Sequence, residues 1–240
     1  MRVRELAVVR REEISPRMVR LVLGGEALDG FTSLAPDDHL KLRLPAPDGT
    51  VVMRDYTPRR FDPVRRELAI EFVLHGDGPA ATWARDARVG DAIAIGGPRG
   101  SRLLPERDGL LLIGDETALP AIGRWLEELR PGARALAIVE VADAREMRRL
   151  PSAGNAEVAF VSRNGAEAGG ADALLAALDE AVARRAVPPG RVQAWVATEI
   201  EVARRLRTRL LDAYGFARED VVAAGYWRHG IADGHGKIED

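Results

Sequence analysis

At Gly109 the hydrophobic period of this 240-residue chain changes, and that change excludes any fold built on one kind of sheet. Before it, apolar residues fall at every second place, as in Leu40, Leu42 and Leu44 or in Leu68, Ile70, Phe72 and Leu74. Such alternation marks strands with one buried face. Less regular runs lie near Val3 to Val9, Met18 to Leu23, Val51 to Tyr56 and Ala92 to Ile95, separated by turn-forming stretches such as Gly24-Gly25 and Pro45-Ala46-Pro47-Asp48-Gly49. About six short strands with little helix between them predict a small closed antiparallel barrel.

From Gly109 onward the pattern is strand, helix, strand. Leu110-Leu111-Leu112-Ile113 is a continuous apolar run, expected of a strand covered on both faces. Further strands are predicted at Ala135 to Val141, Val158 to Ser162, Ala194 to Ala197 and Val221 to Ala224, with helices at Leu119 to Leu129, Ala144 to Leu150, Ala171 to Ala186 and Ile200 to Tyr214. That alternation gives an α/β domain with a parallel sheet, whose ligands bind at the carboxyl ends of the strands. The expected division is a barrel domain over 1–105 and an α/β domain with a C-terminal tail over 106–240, joined near Leu103 to Asp108.

Composition narrows the chemistry. No cysteine is present, which excludes disulfides, thiolate metal sites and cysteine nucleophiles. His39, His75, His229 and His235 show no ligand spacing, so no metal site is expected. A formal net charge of −2 argues against nucleic-acid binding, and no apolar run approaches the length of a membrane span. The start, Met1-Arg2-Val3-Arg4-Glu5-Leu6, lacks the apolar core of a signal peptide, so a cytoplasmic protein is expected, as a monomer with a dimer left open.

Three stretches carry residues suited to a cofactor. Arg54-Asp55-Tyr56-Thr57 puts a guanidinium, a phenol ring and a hydroxyl on one extended segment. The first suits a diphosphate, the second a flat heterocycle, and the third a ring nitrogen that gains and loses a proton. Taken alone, the pattern is also that of a solvated strand edge. His75-Gly76-Asp77-Gly78-Pro79-Ala80-Ala81-Thr82-Trp83 leaves a strand and enters a helix at Pro79, where free N–H groups would suit phosphate or merely begin an ordinary helix. Gly96-Gly97-Pro98-Arg99-Gly100-Ser101 is either an anion-facing loop or the exit turn of the barrel. In the second half the unusual residues sit at strand ends: Gly114-Asp115-Glu116-Thr117-Ala118, Glu140 to Asp143, Ser162-Arg163, Thr198-Glu199 and Gly225-Tyr226-Trp227-Arg228. No G-x-G-x-x-G fingerprint is present.

With these motifs in this order, the sequence resembles the siderophore-interacting family of flavin reductases, within the ferredoxin-reductase-like superfamily. The resemblance runs from the first strands to Tyr226-Trp227-Arg228. It implies a Greek-key FAD-binding barrel followed by an NAD(P)H-binding domain, working as a ferric-siderophore reductase. By position, Arg54 would hold the FAD diphosphate, Tyr56 would pack on the isoalloxazine and Thr57 would reach its N5. Leu74, His75, Gly78, Pro79, Ala80, Thr82 and Trp83 would complete the FAD site. Asp115, Thr117, Ala118, Glu199 and Tyr226 would border the nucleotide, and Trp227 would lie over or beside the flavin. Tyr56, Thr57 and Trp227 are thus the expected catalytic groups.

Ser162 and Arg163 suit the 2′-phosphate of NADPH, a slight lean against NADH, whereas Asp143 would favour a free ribose hydroxyl. Arg59, Arg60, Arg228 and Lys237 are candidates for an anionic ferric siderophore, each equally readable as surface charge. Two residues depart from the family pattern: Ala81 where serine is common, and Thr198 where glycine is usual. The alternatives are a general flavin reductase or diaphorase, and a non-catalytic siderophore-binding protein that has lost nicotinamide binding.

Overall fold

The computed structural model describes residues 2–45, 49–99, 105–231 and 236–238. The chain divides into two compact units, Met1–Leu103 and Leu104–Asp240.

The first unit holds seven antiparallel strands: β1 (Val3–Ser15), β2 (Met18–Gly24), β3 (His39–Pro45), β4 (Val51–Tyr56), β5 (Arg60–Asp62), β6 (Glu67–Val73) and β7 (Ala92–Arg99). Their order across the sheet is β4-β3-β7-β1-β2-β6-β5. Leu40, Leu42 and Leu44 of β3 are fully buried between exposed or half-buried neighbours, as period-two alternation requires. They share one core with Leu21 and Leu23 of β2, Leu68, Ile70 and Phe72 of β6, and Ile93 and Ile95 of β7. Each such side chain, withdrawn from water, contributes about 2 kcal/mol.

Two features differ from the sequence expectation. Among the described residues no ladder joins β4 to β5, so the antiparallel sheet surrounds its core without the closure of a barrel. The stretch Gly96-Gly97-Pro98-Arg99 belongs to β7 itself and pairs His39 with Arg99, so these residues extend the strand where an anion-facing loop or an exit turn is expected. Gly100, Ser101 and the Leu103-Leu104 connection lie outside the described residues, as do Ala46, Pro47 and Asp48.

One helix, α1 (Pro79–Asp86), interrupts the strands, and Ala80 and Ala84 turn into the core. Pro79 occupies its first position, where a missing N–H costs nothing.

The second unit is a six-stranded sheet. Its strands are β8 (Gly109–Gly114), β9 (Arg134–Val141), β10 (Asn155–Ser162), β11 (Val192–Glu199), β12 (Val221–Trp227) and the short β13 (Gly236–Lys237), in the order β10-β9-β8-β11-β12-β13. All ladders are parallel except β12 with β13. Every residue of β8 and of β11 is buried, which accounts for the unbroken apolar run of β8; in β11 the same burial takes in Gln193, Thr198 and Glu199 as well.

The crossover helices are α2 (Leu119–Glu127), α3 (Asp172–Ala183) and α4 (Ile200–Thr208). α4 continues through a π-helical turn over Arg209–Ala213, and Gly215, at φ 69°, follows in the left-handed conformation that ends helices. The helix expected over Ala144 to Leu150 is instead one 3-10 turn, Ala144–Glu146. Met147 and Leu150 give too short an apolar stripe to dock a helix, and Pro151 drives Leu150 out of the helical region.

Candidate functional site

In the first unit, Arg54 and Tyr56 lie two residues apart on β4 and so project to one face. Asp55 projects to the other, where the Lys41 ammonium donates to it at 2.6 Å. The Tyr56 ring lies 4.6 Å from the Phe72 ring with a 37° tilt, and Phe72 lies 5.8 Å from Trp83 of α1. Burial pushes the Tyr56 phenol well above its ordinary value, against the opposing effect of the Arg54 charge, so the phenol keeps its proton. Thr57, the next residue, is buried, Leu74 packs against the core, and His75 is exposed.

The start of α1 has no side-chain cap. Thr82 N–H already donates to the Gly78 carbonyl at 2.9 Å, and Pro79 has no N–H, so the groups this terminus can offer an anion are the N–H of Ala80 and Ala81. An arginine and an aromatic ring on one strand face, together with an uncapped helix start in the same unit, form a donor set that fits a dinucleotide's diphosphate and ring.

In the second unit one carboxylate organises the strand ends. Asp115 follows β8 and is only 3% exposed. Its Oδ1 accepts the backbone N–H of Thr117 at 2.9 Å and the Thr117 hydroxyl at 2.5 Å. Its Oδ2 accepts the Thr198 hydroxyl at 2.8 Å and the Trp227 indole N–H at 2.7 Å. Burial raises the Asp115 carboxyl above the usual range; the hydrogen bonds from Thr117, Trp227 and Thr198 oppose that, while the Glu116 charge adds to it.

Beside this hub, Arg163 donates to Glu116 at 2.6 Å and to Glu140 at 3.1 Å. Burial is also the main reason the Glu140 carboxyl is raised, with Arg163 acting against it. Glu199 caps α4, accepting from the N–H of Glu201 at 2.6 Å and Val202 at 3.1 Å. Close packing sets the backbone here. A Cβ on Gly114 would meet the Ala118 methyl at 2.5 Å, and one on Gly225 would meet Ile200 at 2.7 Å.

The family model described as Siderophore-interacting protein matches residues 107–230, and that described as Siderophore-interacting FAD-binding domain matches 7–52 and 45–102. The chain belongs to the siderophore-interacting protein family. Among relatives of this family member is the NADPH-dependent ferric-chelate reductase of Escherichia coli (strain K12), 35% identical, the alignment covering 95% of this chain and 93% of the relative. Ferric vibriobactin reductase of Vibrio cholerae is 30% identical over 95% of this chain and 90% of its own. A siderophore utilization protein from T. fusca superposes with a TM-score of 0.89 at 40% identity, covering 97% of this chain and 95% of that one. A ferredoxin NADP+ reductase from Neisseria gonorrhoeae, at 14% identity and a TM-score of 0.70, shares the fold.

Against this family pattern, several residues sit otherwise than the sequence suggests. Thr198, where glycine is usual, does not project from its strand end; it is 2% exposed and its hydroxyl is spent on Asp115. The departure from glycine thus adds a buried hydroxyl to the Asp115 cluster rather than a side chain standing out from the strand end. Ser162 donates to Asn164 Oδ1 at 2.8 Å and Arg163 is held by two carboxylates, so both residues read as 2′-phosphate ligands already have partners. Asp143 caps the 3-10 turn by accepting from the Arg145 N–H.

Of the proposed siderophore contacts, Arg60 and Arg228 are exposed. Arg59 is not: it is 8% exposed, with Nε 3.6 Å from the buried Glu71 carboxylate, because β6 carries that acid on the face away from the main core. The Lys237 side chain lies outside the described residues. Tyr226 meets Trp195 edge-on at 6.0 Å, and Ala118 is fully buried at the entry to α2. The sequence reading missed Glu116 and Glu140 as partners of Arg163; the available signal was two acids at adjacent strand ends with an arginine at the third. Among the described residues no cluster of histidine and acid side chains is arranged to hold a metal.

Proposed function

We propose that this chain is an FAD-dependent ferric-siderophore reductase that takes a hydride from NADPH and passes electrons singly to chelated Fe³⁺. The observation that carries the reading is the coincidence, within a unit matched by a siderophore-interacting FAD-binding domain, of the Arg54 and Tyr56 face with the uncapped start of α1. When bound, FAD supplies the conversion between a two-electron donor and one-electron steps.

This chain's residues bind and orient. Arg54 offers a guanidinium for the diphosphate, Ala80 and Ala81 offer backbone N–H groups, and Tyr56 gives a ring already packed on Phe72. Thr57 provides a hydroxyl for the ring nitrogen. In the second unit, the strand ends at Thr117 and Trp227, both bonded to Asp115 with Thr198 buried beside them, receive the nicotinamide nucleotide, as expected at the carboxyl edge of a parallel sheet. Arg60 in the first unit and Arg228 in the second are exposed cations, each taken by itself a candidate contact for an anionic siderophore. Reduction weakens the chelate because Fe²⁺ is held less tightly by hard oxygen donors.

The relatives named as ferric-chelate and ferric vibriobactin reductases support the substrate class. Among the described residues no helix is long and apolar enough to cross a membrane. We place the protein in the cytoplasm as a monomer, where reduced nucleotide is available.

The test is anaerobic reduction followed by reoxidation. The purified protein, reconstituted with FAD, should bleach at its flavin absorbance on adding NADPH and recover it on adding a ferric siderophore, with ferrous iron appearing in a trapping agent. Failure to retain FAD would overturn the reading. Bleaching with equal reoxidation by free flavin and by every ferric chelate would instead make it a general diaphorase.

A further inference from the structure

We propose that Asp115 is a positioning residue that fixes the Trp227 indole at the nucleotide-binding edge, with the Thr198 hydroxyl sharing the same carboxylate oxygen. The inference rests on the nicotinamide-binding reading of the second unit.

Asp115 joins three neighbouring strands, since β8, β11 and β12 lie side by side in the sheet. One carboxylate therefore ties Thr117 after β8, Thr198 near the end of β11 and Trp227 at the end of β12. Among the described residues no cation pairs with Asp115, so its charge is met only by neutral donors. A buried carboxylate without a cation is costly, and replacement by an apolar group would serve stability as well. The four donors aimed at it point to a use in orientation.

The backbone is built to bring Trp227 to this oxygen. Along the β11–β12 ladder Thr198 pairs with Gly225, but Glu199 pairs with Trp227, so Tyr226 is an extra residue in the register. A bulge of this kind re-aims the side chain that follows it. Tyr226 packs edge-on to Trp195, and Trp227 turns to Asp115. At the far end of the indole, the left-handed Gly169, at φ 98°, brings its backbone so close that a Cβ there would lie 3.4 Å from Trp227 Cη2. The ring is held at its N–H end by Asp115, faces Gly169 at its other end, and remains half-exposed. A ring already immobilised loses little conformational freedom when a flat ligand stacks on it. Thr198, the departure from the family glycine, adds a second donor to the oxygen that receives the indole and so favours its ionised, accepting form.

The test uses the FAD-loaded full chain titrated with NADP⁺, and the indole N–H signals of ¹⁵N-labelled protein. Trp227→Phe keeps a ring and removes the N–H; Asp115→Asn removes one acceptor oxygen. Each should weaken NADP⁺ binding about tenfold, and the double variant should be no worse than the weaker single one, because both remove the same contact. In steady state the KM for NADPH should rise by a larger factor than kcat falls. Thr198→Val should weaken binding, and Thr198→Ser, which restores the hydroxyl, should bind as the wild type does. In the wild type, the indole N–H signal that disappears in Trp227→Phe should exchange slowly with water; in Asp115→Asn that signal should exchange fast.

Wild-type NADP⁺ affinity in Trp227→Phe, additive losses in the double variant, or an unprotected Trp227 N–H in the wild type would each overturn the proposal. If Asp115→Asn fails to retain FAD or fold, Trp227→Phe and the Thr198 pair decide the matter. A wild-type chain with a protected Trp227 N–H that binds no NADP⁺ would overturn the nicotinamide reading and the positioning role with it.

Discussion

Arg163 donates to Glu116 at 2.6 Å, and both side chains are 10% exposed. The same guanidinium reaches Glu140, so removing it strands two buried acids. Arg163→Ala is expected to cost about 3–5 kcal/mol of stability, read by denaturant unfolding. Because its charge is already met, the same variant should leave the ratio of kcat/KM for NADPH over NADH within about twofold of the wild type. A collapse of NADPH preference with stability intact would restore Arg163 as a 2′-phosphate ligand.

Arg59 and Arg60 are neighbours with opposite expected effects. Arg59→Ala should lower the unfolding free energy by about 3 kcal/mol, because Glu71 is left with a weakened set of partners in a buried position. Its KM for ferric siderophore should not change. Arg60→Ala, on the exposed side, should leave the melting temperature unchanged and raise that KM, most visibly at low ionic strength.

Much of this was legible in the sequence. Period-two runs such as Leu40, Leu42 and Leu44 located the strands of the first unit, and the continuous run Leu110 to Ile113 located the central strand of the second. Both signals are local and are set by burial alone. What could not be read is how charges pair at long range. Arg59 and Arg60 look identical in sequence, yet only one meets Glu71, which comes from β6. Thr198 reads as a misfit where glycine is usual; its use appears only once β8 sets Asp115 beside it, 83 positions earlier in the chain. The segment Ala144 to Leu150 has good helix formers, but propensity without an apolar stripe to dock yields one turn.

Arg54→Ala is expected to lose FAD during gel filtration, whereas Thr57→Val retains it and is reduced more slowly by NADPH in stopped flow. Tyr56→Phe should keep the packing on Phe72 and change stability by less than about 1 kcal/mol. Tyr56→Ala should cost about 3 kcal/mol and weaken FAD as well. Full flavin retention in Arg54→Ala would return this segment to an ordinary strand edge.

Asp220 provides a pH signature unconnected with redox chemistry. Burial alone would raise its carboxyl, but hydrogen bonds from Arg191 and Arg107, each at 2.6 Å, outweigh that and hold it below the usual value. A depressed folded value means the contribution is complete above the unfolded value of about 3.9 and is lost as pH falls through the folded one. Melting temperatures measured from neutral pH down to about pH 3 should therefore fall more steeply for the wild type than for Asp220→Asn.

The single 3-10 turn between β9 and β10 has a practical side. With no crossover helix docked there, residues 147–152 run along the surface, and Met147, Arg149, Pro151 and Ser152 are exposed. β10 is the outermost strand, with β9 between it and β8. A fluorescent label, affinity handle or fused domain spliced into this stretch would hang from the rim of the sheet, leaving Asp115 and its four donors untouched.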